Sequence, residues 1–311
     1  MTRIAIILPA HDEEQTIAAT IRAFHAAMPG AELWVVNNKS TDNTEAIARQ
    51  VISELGAKGG VIVEPRKGKG NAVRRAFHDI DADVYVLADA DLTYPAERTV
   101  DLIQPILDGR AEMVVGDRHS EGHYLRENKR PLHNFGNRLD QSLVNTLFDA
   151  SLADIMSGYR SFSRSFVKSY PILVEGFEIE TDMTLHALDK RFRIVEIPVE
   201  YRDRPEGSAS KLNTFRDGAK VLFTIVRILR HYRPFLFFGS MAVLFGVAGL
   251  LAAMPVFDDW IRERYIHHVP LAILATGLEV VAVLMMGIGL ILDSVTDQNK
   301  RNFERDLLHR R

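Results

Sequence analysis

Val84-Tyr85-Val86-Leu87-Ala88-Asp89-Ala90-Asp91 is the stretch on which the reading of this chain turns. An uncharged run of Val, Tyr and Leu leads straight into two aspartates separated by one alanine. A run this short and this apolar suits a strand buried on both faces. Two carboxylates at the end of such a strand repel each other unless a cation sits between or beside them. A hard divalent metal, held by one or two carboxylates and by diphosphate oxygens, is the usual solution.

Working outward, the same pattern recurs. Strands are expected at Arg3–Leu8, Glu32–Asn37, Gly60–Glu64, Val84–Ala88, Met113–Gly116 and Ile194–Pro198. Helical spacing of apolar residues covers Glu14–Ala27, Thr41–Leu55, Gly70–Asp79 and Glu97–Leu107. Short apolar strands alternating with amphipathic helices imply an α/β fold with a mainly parallel sheet. Ligands of such sheets bind beyond the carboxyl ends of the strands. The unusual residues lie in those loops: His11-Asp12-Glu13-Glu14, Asn38-Lys39-Ser40-Thr41-Asp42, Arg66-Lys67-Gly68-Lys69-Gly70-Asn71 and the Asp89-Ala90-Asp91 triplet. The glycines around Lys69 allow close backbone approach, and the helix start that follows favours an anion. A solvated basic turn is the plainer reading, and no Walker pattern is present.

Composition excludes several classes. The 38 Lys+Arg against 41 Asp+Glu leave a net charge of −3, which argues against nucleic acid as a partner held by a general field. No cysteine is present, so disulfides, zinc-thiolate sites and thiol nucleophiles are ruled out. His11, His119, His123 and His133 lack metal-ligand spacing and read as ordinary polar residues.

The last third of the chain is of another kind. Pro234 to Phe257 carries no charge, and Val269 to Leu292 carries only Glu279. Each stretch is about 24 residues, where roughly 20 cross the hydrocarbon core as a helix. A transmembrane hairpin around the loop Asp258–His268 is therefore expected, with a pair of buried core helices as the other reading. Arg227, Arg230 and Arg233 precede it, and Lys300, Arg301, Arg305, Arg310 and Arg311 follow it. By that bias both ends, and the domain before the hairpin, are expected on the cytoplasmic side. The N-terminus offers no signal peptide, because Ile4–Leu8 is stopped by Pro9. Residues 213–233 show amphipathic spacing, suiting either an interfacial helix on anionic lipid or one packed on the domain. The expected division is an α/β domain over 1–212, the amphipathic helix over 213–233, and the hairpin with its basic tail over 234–311.

Cations cluster in the later loops. Arg118 follows the strand ending at Gly116; Arg138 and Ser142 lie four apart and share a helix face; Arg204 and Lys211 flank Glu206–Ser210. Together they suit a phosphate grip. Glu178, Glu180 and Asp182 are spare acids, read either as the start of a helix or as partners for the hydroxyl groups of a ligand.

The ordered set of Leu8–Glu13, Val35–Asp42, Lys67–Gly70, Asp89–Asp91, Ser157-Gly158-Tyr159-Arg160 and Gly207–Leu212 resembles family-2 glycosyltransferases of the polyprenyl-phosphate type. These include dolichol-phosphate mannose synthase and undecaprenyl-phosphate sugar transferases. The resemblance covers about residues 3–233, and the hairpin matches members with two membrane helices. It implies a GT-A fold and inverting transfer of a sugar from a nucleotide-sugar to a polyprenyl phosphate of the undecaprenyl or dolichyl type. It further implies that Pro9, Ala10, Glu13, Asn38 and Lys69 line the donor and that Asp89 touches it. Asp91 would hold Mg2+ or Mn2+ against the diphosphate. Arg118, Arg138, Ser142, Arg204 and Lys211 would bind the acceptor phosphate or the diphosphate, with Asp89, Asp91, Arg118 and Arg138 as the catalytic set.

Two departures stand out. Asn38 replaces a carboxylate common in the family; an amide suits the alternating edge of uracil, which favours a UDP-sugar over GDP-mannose. Thr93 stands where a Gln often follows the second aspartate, suggesting looser or water-filled coordination. A phosphate acceptor is already largely a dianion near neutral pH, so no general base is needed. Glu279 in the second span is costly unless it faces protein or water; an inter-subunit contact, hence a homo-oligomer, is one hypothesis. A processive polysaccharide synthase is a competing reading, although neither Trp34 nor Trp260 sits in a Gln-x-x-Arg-Trp signature. A non-catalytic membrane scaffold that binds nucleotide-sugar is the other.

Overall fold

The computed structural model describes residues 2–119, 141–176, 178–202, 226 and 228–309. The chain forms two compact units, Met1–Asn213 and Thr214–Arg311. In the first, the described strands are β1 (Ile4–Ala10), β2 (Glu32–Asn37), β3 (Gly59–Val63), β4 (Val84–Leu87), β5 (Met113–Asp117), β6 (Arg160–Ser163) and β7 (Ile194–Pro198). They form one sheet in the order β3-β2-β1-β4-β6-β5-β7. Only β6 runs against its neighbours; every other pairing is parallel.

The apolar runs have a simple cause. Successive strand residues point to opposite faces. In β1, Ile6 and Leu8 enter one core while Ala5 and Ile7 enter the other. The first core is closed by α1 (Ile17–Ala27), α2 (Thr44–Glu54) and α4 (Thr99–Leu107). The second is closed by α3 (Lys69–Asp79), α5 (Arg164–Ser169) and α6 (Ile179–Asp189). A strand covered on both sides has no polar face, which is why these strands read as continuous rather than alternating.

β2 and β7 fall where the sequence places them, and the other expected strands shift by a residue or two at their ends. β6 was not expected. It carries Arg160 and two serines, so its sequence lacks an apolar signature. The polar groups are satisfied inside: the wholly buried Arg160 donates to Ser157 O (2.8 Å), Ile155 O (2.7 Å) and Thr184 Oγ1 (2.9 Å), and Ser161 Oγ donates to Leu102 O (2.6 Å). Burial pulls the Arg160 guanidinium below its ordinary pKa.

The entry to α3 is built by close packing. Gly68 has φ +131°, and a Cβ there would meet the Glu175 carbonyl oxygen; a Cβ on Gly70 would meet the Val174 carbonyl oxygen. Gly70 N–H donates to Glu175 O at 2.9 Å. The close approach expected of these glycines is thus made by the chain's own 174–175 backbone.

The second unit holds two long helices, α7 (Pro234–Glu263) and α8 (Val269–His309). Pro234 occupies the first turn of α7, where its missing N–H costs nothing. Arg264 at φ 57° ends that helix. The loop expected at Asp258–His268 therefore shrinks to 264–268, because α7 continues through Asp258 and Asp259. The helices run antiparallel: Gly289 lies against Phe235 and Phe238, Gly246 faces Ala282, and Gly249 faces Glu279. Small residues let the backbones approach. A Cβ on Gly249 would stand 2.7 Å from Glu279 Oε1, so Glu279 faces protein, on its own chain. Both helices are long and apolar enough to cross a membrane, and only 11% of the most apolar window of each is buried. Of the amphipathic stretch 213–233, residues 226 and 228–232 are described and helical, and Arg233 is described as the cap before α7; the others lie outside the described residues.

Two outcomes follow from this packing. Gly70→Ala should cost about 2–3 kcal/mol by forcing a methyl against backbone, read as a lower denaturation midpoint of the full chain. His186, on α6 among Phe166, Tyr170 and Phe192, is held by burial at a pKa of about 4, with Lys190 acting in the same direction, against 6.5 when exposed. As pH falls, the unfolded chain takes up this proton first. Stability should therefore be intact above pH ~6.5 and decline by about 3 kcal/mol towards pH ~4. His186→Gln should flatten that slope in denaturant titrations.

Candidate active site

β1 is flanked by β2 on one side and β4 on the other, so the connections leaving β1 and β4 diverge. That reversal opens a crevice at the carboxyl ends of these two strands. Pro9 and Ala10 end β1, and Asp89-Ala90-Asp91 follows β4.

The crevice walls are tied to one another. Asp12, at φ 55°, accepts from Thr41 N–H at 2.7 Å, and Glu13 N–H donates to Thr44 Oγ1 at 2.8 Å. These bonds join the loop after β1 to the loop after β2. They also explain why α1 and α2 begin three residues later than the apolar spacing suggests. The Glu13 carboxylate accepts from Thr16 Oγ1 at 3.0 Å. Thr16 and Thr20 hydroxyls both reach Ala90 O, at 2.9 and 3.1 Å. Helix α1 thereby fixes the peptide between the two aspartates.

The aspartates differ in their surroundings. Asp91 is buried, and its Oδ1 accepts from Thr93 Oγ1 (2.5 Å) and Thr93 N–H (3.2 Å). Thr93 is itself buried behind Asp91 and orients it. Leu92, between them, takes φ 64°. Asp89 is partly exposed and ion-paired with Lys69, whose Nζ also lies 2.5 Å from Glu180 Oε1. Burial works against the Lys69 charge, but Asp89 and Glu180 outweigh it and hold the ammonium above its ordinary range. Lys69, expected at the donor, is thus engaged by carboxylates.

Asn38 is buried at the end of β2. Its Nδ2 donates to Arg66 O at 2.7 Å and its Oδ1 accepts from Gly68 N–H at 2.7 Å. The alternating edge expected to read a nucleobase is turned onto the loop before α3. Nearby His11 makes no ring hydrogen bond among the described residues, and its Nε2 lies 3.5 Å from Asp12. Sequence reading set His11 aside as ordinary, yet it belongs to this crevice loop.

Arg118 follows β5 and forks onto Asp154, with Nε–Oδ2 at 2.6 Å and Nη2–Oδ1 at 2.9 Å. Burial opposes the Asp154 charge, but Arg118 overrides it and holds the carboxyl below the usual range. The guanidinium also sits 5.5 Å over the Tyr201 ring. Tyr201 packs on Tyr94, whose hydroxyl accepts from Gly158 N–H at 2.9 Å. A Cβ on Gly158 would stand 2.8 Å from Asp89 Oδ2. This series of contacts connects Arg118 to the acidic pair. Ser142 lies in a helical segment over 141–148 and in a shallow polar pocket with Gln141, Asn145 and Thr146. Gln141 and Asn145 hold Leu152, two residues from Asp154. Arg138, Arg204 and Lys211, with the loop Gly207–Lys211, lie outside the described residues.

Of the three spare acids, only Glu180 reaches the crevice through a described contact. Asp182 accepts from Tyr170 Oη at 2.6 Å instead. Asp154 carries no sequence signal of its own, since its role arises from a contact with Arg118 36 residues away. Among the described residues no three His, Asp or Glu side chains form a ready metal-ligand set. The donors present fit a cation shared with a substrate: one or two carboxylates, the rest supplied by phosphate oxygens and water.

The sequence profile described as "Glycosyl transferase family 2" matches residues 5–170. Glycosyltransferase AglJ of Haloferax volcanii is 30% identical over 305 residues, covering 96% of each chain. The dolichyl-phosphate hexose transferase of the same organism is 28% identical over 225 residues, 72% of this chain and 93% of its own. Among solved structures, Mycobacterium tuberculosis glucosyl-3-phosphoglycerate synthase shares the fold, with a TM-score of 0.56 and 24% identity over 73% of this chain and 80% of that one. An acidic pair beyond a parallel strand at the switch of a mainly parallel sheet, together with these matches, identifies the chain as a GT-A-fold glycosyltransferase that belongs to family 2.

Proposed function

We propose that this glycosyltransferase moves a sugar, with inversion, from a nucleotide-sugar to a polyprenyl phosphate at the cytoplasmic face of an inner membrane, leaving a polyprenyl-phosphate-sugar. The observation that carries the reading is the joining, in one chain, of the acidic pair beyond β4 with two apolar helices able to span a bilayer. Relatives named dolichyl-phosphate hexose transferase, dolichol-phosphate mannosyltransferase and polyprenol monophosphomannose synthase support the acceptor class. The hairpin then keeps the enzyme where its lipid phosphate resides, in an arrangement of catalytic domain (1–212), amphipathic helix (213–233) and membrane anchor (234–311).

Asp91, oriented by Thr93, would hold Mg2+ or Mn2+ against the donor diphosphate; the metal would neutralise charge on the departing nucleotide. Pro9, Ala10, Glu13 and Asn38 line the donor side, Asn38 by shaping the loop before α3, and Asp89 accepts from the donor. Arg118, Arg138, Ser142, Arg204 and Lys211 form the acceptor-phosphate side. The attacking phosphate is already anionic, so positioning takes the place of proton removal. A UDP-sugar is the favoured donor, in keeping with the glucosyl-3-phosphoglycerate synthase solved with Mn2+ and UDP; GDP-mannose is the alternative.

The test uses the full chain in detergent with dolichyl or undecaprenyl phosphate and a panel of UDP- and GDP-sugars. Radiolabel should enter the lipid fraction with one donor, require divalent cation, and vanish in chelator. Asp91→Asn keeps an acceptor for Thr93 and should lower turnover by about 10²–10³-fold with an unchanged melt. Transfer to 3-phosphoglycerate but to neither lipid, or full activity in chelator, would refute the proposal.

A further inference from the structure

β7 is an apolar strand with one acid in its middle: Ile194, Val195, Glu196, Ile197 and Pro198. Glu196 lies beside Val115 of β5, and β5 ends two residues later at Asp117, where Arg118 follows. The carboxylate turns to the loop that precedes β6. Its Oε1 and Oε2 accept from Ala153 N–H at 2.9 and 2.8 Å, and Oε1 accepts from Asp154 N–H at 2.9 Å. Burial pushes the Glu196 carboxyl above its ordinary range, against the pull of these two amides; Asp117 and Asp154 add to the rise. Holding a charge there is unfavourable, and the contact that offsets it is with two successive amides.

One of those amides belongs to the residue that holds Arg118. Asp154, whose side chain is 1% exposed, accepts from Arg118 Nε (2.6 Å), Arg118 Nη2 (2.9 Å) and the Arg118 main-chain N–H (3.3 Å), and from Met156 N–H (3.1 Å). The carbonyl side of the same loop is pinned from elsewhere: Ile155 O accepts from Arg160 Nη2 at 2.7 Å and from Thr184 Oγ1 at 3.3 Å. Glu196, Asp154 and Arg118 thus form a series, carboxylate to amide and carboxylate to guanidinium. An unrestrained arginine loses side-chain freedom when it grips an anion, and that loss weakens binding. An arginine already seated on a buried fork has less to lose.

We infer that Glu196 positions the acceptor side of the site: it seats Asp154, and Asp154 aims the Arg118 guanidinium at the phosphate of the incoming lipid. Glu196 and Asp154 are positioning residues that act through Arg118. This rests on the proposed role of Arg118 at the acceptor phosphate. A glutamine could not stand in for Glu196, because with Oε1 kept in place its NH2 group would face the Ala153 N–H, donor against donor.

The experiment measures equilibrium binding to the full chain in detergent, with no sugar donor present. The probes are undecaprenyl and dolichyl phosphate, the same polyprenols without phosphate, and Mn2+ with UDP or GDP. Glu196→Gln should weaken lipid-phosphate binding about tenfold, the scale of one hydrogen bond to a charged group, and leave polyprenol and nucleotide binding unchanged. Glu196→Asp keeps the charge but withdraws it by one methylene; it should do the same, and it serves if the glutamine variant does not fold. Asp154→Asn should show the same selectivity. In the Arg118→Ala chain, itself weakened, Glu196→Gln should add nothing, because residues that act through one another are non-additive. A folded Glu196 variant with unchanged lipid-phosphate affinity overturns the inference and leaves the acceptor assignment standing. So does an equal loss of nucleotide binding, or a full further loss on top of Arg118→Ala, either of which marks a merely structural residue. A wild-type chain that holds lipid phosphate no better than polyprenol, or an Arg118→Ala chain that binds it normally, sinks the acceptor assignment and this inference together.

Discussion

Two carboxylates at the end of a buried strand are the constraint around which the catalytic unit is arranged. Like charges that close, in a setting of low polarity, must each be compensated by something the fold supplies. Asp91 receives a hydroxyl and an amide from Thr93, and Asp89 receives the ammonium of Lys69. Lys69 in turn depends on Glu180, brought by α6, and on the bare backbone at Gly158, which precedes β6. The antiparallel strand and the late helix thus belong to the site as much as the parallel core does.

The frame of the fold was legible in the sequence because burial on both faces leaves an unmistakable mark. Ile4–Leu8, Val35–Val36 and Val84–Leu87 have few polar residues to confuse the reading, and the helices between them keep a clear stripe. β6 was not legible. Arg160 and Ser161 look like loop residues until their partners at 102, 155, 157 and 184 are in place. The end of the first apolar helix was missed for a related reason: charge marks the end of an apolar stretch, not the end of a helix, and α7 carries Asp258 and Asp259 on as ordinary helical residues.

Within the site, residue types were legible and their partners were not. The acidic pair could be read directly as a place for a cation. Lys69 and Asn38 could be recognised as unusual, but the direction in which each side chain turns is set by contacts from 20 to 111 residues away. Asn38 holds Arg66 O and Gly68 N–H, so its amide supports the loop before α3. The glycines of that loop are explained by Val174 and Glu175, a segment no local spacing rule connects to them.

The 41 residues of α8 have one more consequence. At 1.5 Å per residue the helix is roughly 60 Å long, about twice the thickness of a bilayer's hydrocarbon layer. Once its apolar part is immersed, the stretch from Asp293 onward must stand clear of the lipid as an unbroken rod of about 25 Å. Anything attached to the last residue, whether a tag, a fused domain or a natural extension, would be carried on a stiff mast rather than a slack tether.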